Sequence, residues 1–353
     1  MHSAPCIRIG NRIIGPGQPC FIAAEVGINH NGDMDLARRC IDAAAAAGAD
    51  AVKFQNYATT DFLDDDKLTY TYKSQGQTIT ESQWEMFKRC ELSEQQLAEL
   101  KMHCDSAGVI FFSTPTSEAG ARTLRSLGAP LIKNGSDFLT HLDLIRVMAS
   151  LQLPTVLSTG MATVEEIDDA VRAFRETGGQ DLVLLHCTSS YPTPPEDINL
   201  TRIPALGERF GCLIGFSDHS EGSTAAVGAV ALGACFIEKH FTLNRNLPGP
   251  DHWFSSDPVE FSALVQSVRH VEVALGSSQL EPTASEALGR AAFRLSCLAA
   301  TDLPSGTHLK RDHIAYRRPG TGLPPKVAPE LLGRALRRSV SRGHIFTWED
   351  FGD

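Results

Sequence analysis

The sequence predicts an α/β protein in which an eight-stranded TIM-type (β/α)8 barrel is followed by a small, mostly β domain. Two observations predict the barrel: eight short apolar runs alternate with helical patterns through residues 1–276, and every run ends in polar side chains. Such alternation produces a parallel sheet, and eight units allow the sheet to close. A doubly wound open sheet is the alternative, but no dinucleotide-binding G-x-G-x-x-G follows the first run and no phosphate-binding loop motif occurs.

The predicted strands follow a hairpin-like start, IRIGNRIIGPGQP. In chain order they are CFIAAEV, ADAVKFQ, VIFFSTP, APLIKNGS, PTVLSTG, DLVLLHCTS, LIGFSDH and ACFIEKHF. The carboxyl ends of the strands form the active-site face of such a barrel. We therefore expect the polar side chains that end these eight runs to meet at one mouth.

Helical patterns fill the connections between the strands. Asp33 is the predicted cap of the first helix and Gly48 its end, and Thr163 and Glu166 have the spacing of a capping box. The remaining helical segments are SEQQLAELKMHCDSAG, SEAGARTLRSLG, THLDLIRVMASLQL, GSTAAVGAVALGA and DPVEFSALVQSVRHVEVALG, of which the first three open on Ser or Thr. Residues 56–92 are too long for a routine connection, so we predict a lid or binding loop there.

Loss of apolar periodicity and a high Pro, Ser and Gly content mark residues 277–290 as a linker. Residues 291–353 have the short apolar runs and turns of a small β domain with little core of its own. The predicted organisation is therefore a catalytic barrel over 1–276, a linker over 277–290 and a small domain over 291–353.

Charge is distributed unevenly along the chain. The 353 residues carry a formal net charge of −10, which argues against nonspecific nucleic-acid binding. From Arg290 onward 11 Lys and Arg stand against 6 Asp and Glu, a net of +5 that leaves −15 for residues 1–289. The basic tail is either an ordinary solvated surface or a surface that docks onto a barrel and helps to hold an anionic ligand.

The sequence has no run of about 18 uncharged apolar residues and no basic start followed by an apolar run. We therefore expect a cytoplasmic protein without a membrane span or a secretion signal. The nine cysteines have no paired spacing and lie mostly within or beside apolar runs, which is typical of reduced packing residues. Cys187 ends a predicted strand, where a packing role is favoured over a role in the site.

Two histidines end successive predicted strands. His219 and His240 are separated by the length of one helix with its turns, so we expect them on adjacent strands at one rim. Two imidazoles at such positions, with Asp218 and Glu25 nearby, favour a shared divalent ion that keeps positions open for substrate and water. A hydrogen-bonded packing role is the alternative for either histidine alone.

Lys53 and Lys133 also lie at strand ends. A buried ammonium group is costly without an anionic partner, which implies a phosphate or carboxylate ligand. Hydroxyl donors surround the same rim, at Ser113, Thr114, Ser136, Ser158, Thr159 and Ser217. Together these residues indicate a binding site for a small, highly charged anion. The alternative is a Schiff-base aldolase, in which one of the lysines attacks a ketone.

Two loops at strand ends carry concentrated hydrogen-bonding groups. VGINHNGD follows the first strand and NLPGPDHWF follows the last; they hold Asn29, His30, Asn31, Asp251, His252 and Trp253. Such groups suit a polyhydroxylated ligand, and an ordinary Asn-Gly turn is the alternative for the first loop.

Five motifs together resemble the sialic acid synthase family, whose members make N-acetylneuraminate and related nonulosonic acids. They are FIAAEVGINHNGD, DAVKFQ, HCTSSYPTPPEDINL, GFSDHSEG and EKHFTLNRNLPGPDH. The tail around RRPGTG resembles the C-terminal antifreeze-like (SAF) domain of that family. The similarity spans almost the whole chain, and the occurrence of these motifs in order makes it specific.

The resemblance implies a transferase that condenses phosphoenolpyruvate with N-acetylmannosamine or a related 2-acetamido hexose. The products would be a nine-carbon 2-keto sugar acid and phosphate, because C3 of phosphoenolpyruvate attacks the sugar aldehyde, water adds at C2 and phosphate leaves by C–O cleavage. His219 and His240 match the ligands of a manganese or magnesium ion that polarises the aldehyde. Together with Glu25 they are the expected catalytic residues.

The resemblance also implies individual contacts. The positions that match the family's phosphoenolpyruvate contacts are Lys53, Thr114, Lys133, Ser136, Ser158 and Ser217. The positions that match its sugar contacts are Glu25, Tyr191, Asp251 and Arg318. The family forms homodimers in which the antifreeze-like domain of one subunit covers the other barrel, so Arg318 is expected to contact the acylamino group in the neighbouring subunit's site.

The acceptor sugar stays open at this point. Ser189 stands where members that use N-acetylmannosamine often carry Asn, and Trp253 and Phe254 lie near the sugar end. A 2,4-diacetamido trideoxyhexose, leading to a legionaminic-type acid, is the alternative, and a pseudaminic-type acid is less favoured. A nonenzymatic ice- or sugar-binding role would need a flat, Thr-rich face, and the basic tail contains few threonines.

Overall fold

The computed structural model describes residues 6–352. The chain divides into two compact units, Met1–Gly276 and Ser277–Asp353, so the division falls where the predicted linker begins. Residues 1–5 and 353, at the outer ends of the predicted domains, lie outside the described residues.

The strands of the described part of the chain are β1 (Ile7–Ile9), β2 (Arg12–Ile14), β3 (Phe21–Gly27), β4 (Ala51–Asn56), β5 (Thr69–Ser74), β6 (Gln77–Ser82), β7 (Ile110–Pro115), β8 (Ile132–Asn134), β9 (Thr155–Ser158), β10 (Leu182–Cys187), β11 (Leu213–Asp218), β12 (Phe236–His240), β13 (Ser296–Ala299) and β14 (Ile314–Arg317). The α-helices are α1 (Met34–Ala46), α2 (Gln83–Arg89), α3 (Glu94–Ala107), α4 (Glu118–Ser126), α5 (Leu142–Ser150), α6 (Val164–Glu176), α7 (Pro195–Ile198), α8 (Arg202–Phe210), α9 (Thr224–Ala231), α10 (Pro258–Leu275), α11 (Ala287–Phe293) and α12 (Ala328–Leu331).

The eight strands with the predicted polar ends form one parallel sheet. Its hydrogen-bonded order is β7-β4-β3-β12-β11-β10-β9-β8, and the two outer strands, β7 and β8, pack against each other. The sheet therefore curls into a barrel, and the predicted (β/α)8 architecture is confirmed. Because all the strands run in the same direction, their carboxyl ends meet at one mouth.

Alternate residues of a strand face opposite sides of the sheet, and this alternation separates the barrel interior from the outer layer. On β3, Phe21 and Ala23 pack inside the barrel, whereas Ile22 and Ala24 pack outward against the helices. Glu25 continues the inward series at the carboxyl end of the same strand. The interior is thus apolar at its amino-terminal end and charged at its mouth.

The hairpin β1–β2 confirms the predicted hairpin-like start and packs against the amino-terminal end of the barrel. Ile7, Ile9 and Ile14 join the interior cluster that contains Phe21 and Phe236, whose ring centroids are 4.9 Å apart. This packing places the hairpin at the end opposite the mouth.

The helices confirm the predicted caps with one exception. Asp33 accepts hydrogen bonds from the first turn of α1, and Thr163 and Glu166 form the capping box of α6. The predicted opening of α5 on Thr140 is wrong, because the Nδ1 atom of His141 accepts the hydrogen bond from the Leu144 amide and caps the helix. None of the helices in residues 6–352 is long and apolar enough to cross a membrane.

Residues 56–92 form an ordered hairpin, β5–β6, followed by α2. The hairpin contacts the loop after β12: the Gly249 amide donates to Ser74 Oγ at 3.2 Å, and Gln75 Nε2 donates to the Asn246 carbonyl at 3.1 Å. The Lys73 ammonium lies 5.2 Å from the centre of the Trp253 ring. The sequence predicted a lid or loop here but neither the hairpin nor the helix.

The second unit has a small core of its own, built around Cys297, Leu331 and Phe346, and its short strands confirm the predicted mostly β character. Asp350 is fully buried and anchors the end of the chain, since its carboxylate accepts hydrogen bonds from Arg338 and His344. All nine cysteines are free thiols.

Added volume inside the barrel should be poorly tolerated at Gly215. A Cβ atom there would lie 2.5 Å from both Leu185 Cδ2 and the Phe236 carbonyl oxygen, so β11 would have to shift against its neighbours. We expect Gly215→Ala to lower the free energy of unfolding by about 1–3 kcal/mol, measured by urea denaturation. Gly207→Ala on the outer helix α8 is the matched control, because its Cβ would first meet the Ile214 side chain, at 3.3 Å. An equal loss in both variants would contradict the prediction.

Candidate functional site

The carboxyl ends of the barrel strands surround a cavity of about 520 Å³. Ser113 and Thr159, whose hydroxyls were also predicted at this rim, do not line it. Eleven of the twelve residues to which the resemblance assigns a role do line it, namely Glu25, Lys53, Thr114, Lys133, Ser136, Ser158, Tyr191, Ser217, His219, His240 and Asp251. Arg318 is the exception: it follows β14 in the second unit, where its Nε donates to the Phe293 carbonyl at 3.1 Å. The roles assigned to these residues remain predictions, but their convergence on one cavity is an observation.

Four buried charges form the floor of this cavity. Lys53 Nζ lies 2.9 Å from Glu25 Oε1 and 3.7 Å from Glu238 Oε1, and Lys133 Nζ lies 2.8 Å from the same Glu238 oxygen. Lys53 also donates to Thr114 Oγ1 at 3.1 Å. We call Glu25, Lys53, Lys133 and Glu238 the charge quartet.

Glu238 is the member of the quartet that sequence reasoning missed. It precedes His240 by two residues on β12, so both side chains point to the same, inward side of the barrel. That period-2 spacing within the run FIEKH was the signal that could have identified it.

The pairing of the two lysines with the two carboxylates decides the protonation states of the quartet. Burial alone would raise the pKa of Glu238, but Lys133 and Lys53 outweigh it and hold that pKa below its usual value. Burial would lower the pKa of Lys133, but Glu238 and Glu25 outweigh it and raise that pKa. Burial also raises the pKa of Glu25, and Lys53 offsets only part of the increase. Both lysines therefore have carboxylate partners, and Lys133 is a poor Schiff-base nucleophile because it stays protonated.

Several polar atoms of the cavity have no hydrogen-bond partner within the described structure. Among them are Glu25 Oε2, Glu238 Oε2 and Ser158 Oγ, all of which are buried. Buried polar atoms are almost always satisfied in native proteins, so these atoms indicate the places where a bound molecule would make contacts.

The hydroxyls of Ser136 and Ser217 are held in place by hydrogen bonds to neighbouring groups. Ser136 Oγ accepts from the Gly160 amide at 3.1 Å, and a Cβ atom at position 160 would lie only 2.7 Å from that oxygen. Ser217 Oγ donates to Glu238 Oε1 at 3.3 Å. Glycine at 160 therefore lets the strand ends approach closely enough to present the hydroxyls to one ligand.

The two predicted histidines are neighbours, with ring centroids 5.5 Å apart. His219 Nδ1 lies 2.9 Å from the Thr188 carbonyl, which can only accept, so Nδ1 carries the proton and Nε2 is left with its lone pair in the neutral ring. His240 Nδ1 is buried without a hydrogen-bond partner among residues 6–352 and lies 4.0 Å from Asp251 Oδ2. Burial, with His219 and the nearby lysines, lowers the pKa of His240 well below its usual value, which keeps this ring neutral.

Cys187 lines the cavity beside the histidines, which departs from the predicted packing role. Its Sγ atom lies 3.8 Å from His219 Nδ1. Burial raises the pKa of Cys187, but His219, Lys133 and the hydrogen bond from Ser136 together lower it by more, and the result is about 7. Cys187, the Thr188 carbonyl and Glu238 together outweigh the effect of burial on His219 and raise the pKa of that imidazole.

A divalent ion fits the two histidines as a pair. In the part of the chain that the structure describes, no group of three or more His, Cys, Asp or Glu side chains is arranged to hold a metal. The pair offers the unpartnered Nδ1 of His240 and the Nε2 of His219, whose contact is Ser217 Oγ at 3.3 Å, at one mouth next to open cavity. Two protein ligands with the other positions left to substrate and water are compatible with a catalytic site.

Most of the other polar groups predicted in the two loops do not line the cavity. Asn29 Nδ2 donates to the Phe241 carbonyl at 2.9 Å, and His252 Nδ1 lies 2.7 Å from Thr242 Oγ1. These side chains stabilise the loops instead of facing a ligand. Trp253 likewise lies outside the cavity lining, and the neighbouring Phe254 provides the apolar contact there.

Aromatic rings cover two sides of the cavity. Tyr191 lies over His219 with ring centroids 4.1 Å apart, and Phe254 lies 5.1 Å from His240. A second group consists of Tyr57, Phe62, Phe87 and Phe138, which we call the aromatic wall. The sequence did not identify the wall, because its members come from the 56–92 connection and from the loop after β8.

The fold is a (β/α)8 barrel with a cavity at the carboxyl ends of the strands, where enzymes of this architecture have their active sites. Residues 40–280 match the model of the NeuB family, and residues 297–352 match that of the SAF domain. The chain therefore belongs to the NeuB family, which confirms the resemblance to sialic acid synthases with an antifreeze-like domain.

Relatives cover nearly the whole chain. An uncharacterized protein, MJ1065, of Methanocaldococcus jannaschii is 40% identical over 98% of each chain. The N,N'-diacetyllegionaminic acid synthase of Legionella pneumophila is 38% identical over 95% of each chain. A solved N-acetylneuraminic acid (sialic acid) synthetase from Leptospira borgpetersenii, in complex with citrate, is 35% identical with a TM-score of 0.74 and covers 82% of this chain and 96% of its own. The chain is thus similar to nonulosonic acid synthases that differ in their named products.

The charge quartet should make stability sensitive to small anions. Glu238→Gln leaves two buried ammonium groups with one carboxylate fewer, so we expect the free energy of unfolding to fall by about 3–5 kcal/mol. Inorganic phosphate should recover more stability in this variant than in the wild type, measured by thermal unfolding with and without phosphate. Glu176→Gln, at an exposed position of α6, is the control. An identical response to phosphate in all three proteins would contradict the anion-binding role of the quartet.

Proposed function

We propose that this protein is a transferase that condenses phosphoenolpyruvate with an acylamino sugar, N-acetylmannosamine or a related 2-acetamido hexose, to form a nine-carbon 2-keto sugar acid and phosphate. The observation that carries the proposal is the juxtaposition of the charge quartet and the histidine pair in one cavity. The lysines of the charge quartet suit a small polyanion, and the histidine pair suits a divalent ion. The reaction needs the polyanion and the ion within one site.

Phosphoenolpyruvate is assigned to the lysine side of the cavity. Its phosphate and carboxylate groups would accept hydrogen bonds from the ammonium groups of Lys53 and Lys133, which also contact Glu25 and Glu238. The hydroxyls of Thr114, Ser136, Ser158 and Ser217 would donate to the same anion. The unpartnered Ser158 Oγ is the clearest such donor.

His219 and His240 would hold the divalent ion, Mn²⁺ or Mg²⁺, and the bound ion would supply Lewis-acid polarisation of the sugar aldehyde. The surroundings act differently on the two rings, since the pKa of His219 is raised and that of His240 is lowered. The Thr188 carbonyl keeps the proton of His219 on Nδ1 and so leaves Nε2 to face the site. The depressed pKa of His240, caused by burial and by His219, removes proton competition at that ring.

Glu25 is assigned to the water that adds at C2. Its Oε1 contacts Lys53 and accepts from Gln55 Nε2 at 3.3 Å, while Oε2 is buried and free to accept a hydrogen bond from water or from the sugar. Burial raises the pKa of Glu25, which moves it toward the range useful for transferring a proton. In the balanced reaction C3 of phosphoenolpyruvate bonds to the aldehyde carbon, water adds at C2, and the C–O bond to phosphate breaks.

The sugar is assigned to the side lined by Tyr191 and Asp251. Burial, with the nearby Glu25 charge, raises the pKa of Asp251 to about 7, so this carboxyl is suited to hydrogen bonds with sugar hydroxyls in either protonation state. In a homodimer, Arg318 of one subunit would complete the sugar site of the other. Its place at an exposed position of the basic second unit supports this arrangement.

Phosphate release from phosphoenolpyruvate tests the reaction directly. We expect release only when an acylamino sugar and Mn²⁺ or Mg²⁺ are both present, with EDTA abolishing it and mass spectrometry detecting the nine-carbon acid. Activity that survives EDTA, together with a lysine adduct trapped by borohydride, would instead support the Schiff-base aldolase.

His240→Ala should remove metal binding and turnover together. We expect at least a thousandfold loss of kcat, together with loss of bound Mn²⁺ in electron paramagnetic resonance titrations, because only one imidazole ligand remains. The folded barrel should persist in circular dichroism. His103→Ala on α3 removes a histidine paired with Asp42 outside the cavity and should leave both properties unchanged. Full Mn²⁺ affinity in His240→Ala would exclude this ligand assignment.

Arg318→Ala should raise the KM for the sugar about 10–150-fold and leave the KM for phosphoenolpyruvate unchanged, since a lost charged hydrogen bond costs about 1.5–3 kcal/mol. Arg317→Ala, the neighbouring exposed arginine, is the control.

Subunit mixing tests whether Arg318 acts across a dimer. At a sugar concentration well below KM, Arg318→Ala alone should retain at most about a tenth of wild-type activity, so equal amounts of Arg318→Ala and His240→Ala subunits should give at most about a twentieth without subunit exchange. After exchange they should give about a quarter of wild-type activity, because half of the dimers would be mixed and each would have one intact site. No recovery despite subunit exchange would contradict action between subunits.

A further inference from the structure

A buried ion pair lies behind the histidine pair, on the outer side of the barrel wall. Lys239 Nζ lies 3.0 Å from Asp218 Oδ2, and the two side chains are 3% and 0% exposed. Neither residue lines the cavity that contains the charge quartet. The reaction assigned to that cavity therefore gives this ion pair no contact with a substrate.

The alternation of side chains along the two strands places the ion pair among apolar residues. Phe216 on β11 and Ile237 on β12 pack in the outer cluster, together with residues of the helices. Asp218 and Lys239 lie two residues further along the same strands, so they continue the outward-facing series. Well-packed apolar side chains often stabilise such a position at least as well as an ion pair does. A gain in stability is therefore a weak explanation for the pair.

The ion pair joins β11 and β12 at the last position before each histidine. Asp218 and Lys239 are direct cross-strand partners in the parallel register. The next residues in the chain are His219 and His240, whose ring centroids are 5.5 Å apart. Because the main chain connects each charged residue to the imidazole that follows it, a change in the separation of Asp218 and Lys239 would move the two rings relative to each other.

Hydrogen bonds of the same ion pair also fix the backbone on both sides of His219. Asp218 Oδ1 accepts from the Ser220 amide at 2.8 Å and from the Ser220 hydroxyl at 2.6 Å. Lys239 Nζ donates to the Ser220 carbonyl as well as to Asp218. The segment that carries His219 is thus tied to itself and to the strand that carries His240.

We propose, on the basis of the ligand role assigned above to His219 and His240, that Asp218 and Lys239 are positioning residues for the divalent ion. Their ion pair sets the separation and orientation of the two imidazoles, and so the affinity for the ion, from outside the cavity. A site with two protein ligands depends strongly on such a pair, because its geometry rests on one separation that must be held within about 0.5 Å.

Replacing the ion pair by neutral side chains separates positioning from stability. Asp218→Asn/Lys239→Met removes both charges together, so it leaves no unpaired charge buried and should keep much of the stability. We expect the Kd for Mn²⁺ to rise about 10–100-fold, measured by electron paramagnetic resonance titration of the full chain without substrates. Turnover should recover at saturating Mn²⁺, with an unchanged KM for phosphoenolpyruvate. Wild-type affinity for Mn²⁺, or a loss of turnover that saturating Mn²⁺ does not repair, would overturn the inference.

An ion pair at the opposite end of the barrel provides the matched control. Arg269 lies 3.0 Å from Oδ2 of the buried Asp50, which immediately precedes β4. Asp50→Asn/Arg269→Met makes the same chemical change far from the histidines. It should lower the midpoint of thermal unfolding without changing the affinity for Mn²⁺. An equal loss of Mn²⁺ affinity in the two double variants would reveal a general effect of destabilisation and would overturn the inference.

Single variants that keep both charges apply the same test if the neutral double variant does not fold. Asp218→Glu and Lys239→Arg each retain the ion pair but change the length or shape of one side chain. Each should raise the Kd for Mn²⁺ about tenfold while the circular dichroism spectrum stays that of the wild type. Wild-type Mn²⁺ affinity in both single variants would contradict a positioning role.

Crystal structures without metal separate this inference from the proposed function. In a variant of the ion pair, the distance between the ring centroids of His219 and His240 should differ from the wild-type distance by more than about 0.5 Å. A changed distance would support the inference even if the wild type bound no Mn²⁺, a result that would contradict the proposed function. An unchanged distance would overturn the inference even if the wild type condensed phosphoenolpyruvate with a sugar.

Discussion

The burial of two ammonium groups and two carboxylates at the mouth of the barrel is the constraint on which the site depends. An isolated charge is too costly in such surroundings, so each lysine needs a carboxylate partner within about 4 Å. Lys133 and Glu238 meet this requirement at 2.8 Å, and Lys53 and Glu25 meet it at 2.9 Å. These separations require strand ends that are held rigidly around a closed sheet. The four charged side chains can therefore be buried together only because the barrel is closed.

The same arrangement leaves acceptor atoms unsatisfied on the cavity side. Glu25 and Glu238 each use one carboxylate oxygen on the lysines, and the other oxygen of each is buried without a partner in the described chain. The charges of the quartet therefore neutralise one another, but two of its carboxylate oxygens still lack hydrogen-bond donors. A ligand that brings hydrogen-bond donors, as water and sugar hydroxyls do, suits these oxygens better than an apolar one.

The sequence predicted the barrel and most of its site, because both follow from local patterns. Apolar runs that end in polar residues became the eight parallel strands, and their ends placed eleven predicted side chains around one cavity. The features that the sequence did not predict depend on packing between distant parts of the chain. His141 replaced Thr140 as a helix cap, and the 56–92 connection folded into a hairpin and a helix. Of the polar loop residues, Asn29 binds the segment after β12 and His252 binds Thr242 of the same segment, so neither faces the cavity.

By itself the sequence determined which side chains face the mouth, since the alternation along a strand and the common direction of parallel strands leave little choice. Only the tertiary structure decided which of those side chains become partners. Lys133 and Glu238 are 105 residues apart, and their contact depends on the order and curvature of the sheet. The aromatic wall likewise exists because Phe138 of one strand-end loop meets rings from the 56–92 connection. No periodic pattern in the sequence predicts such contacts, because they arise from the packing of separate elements.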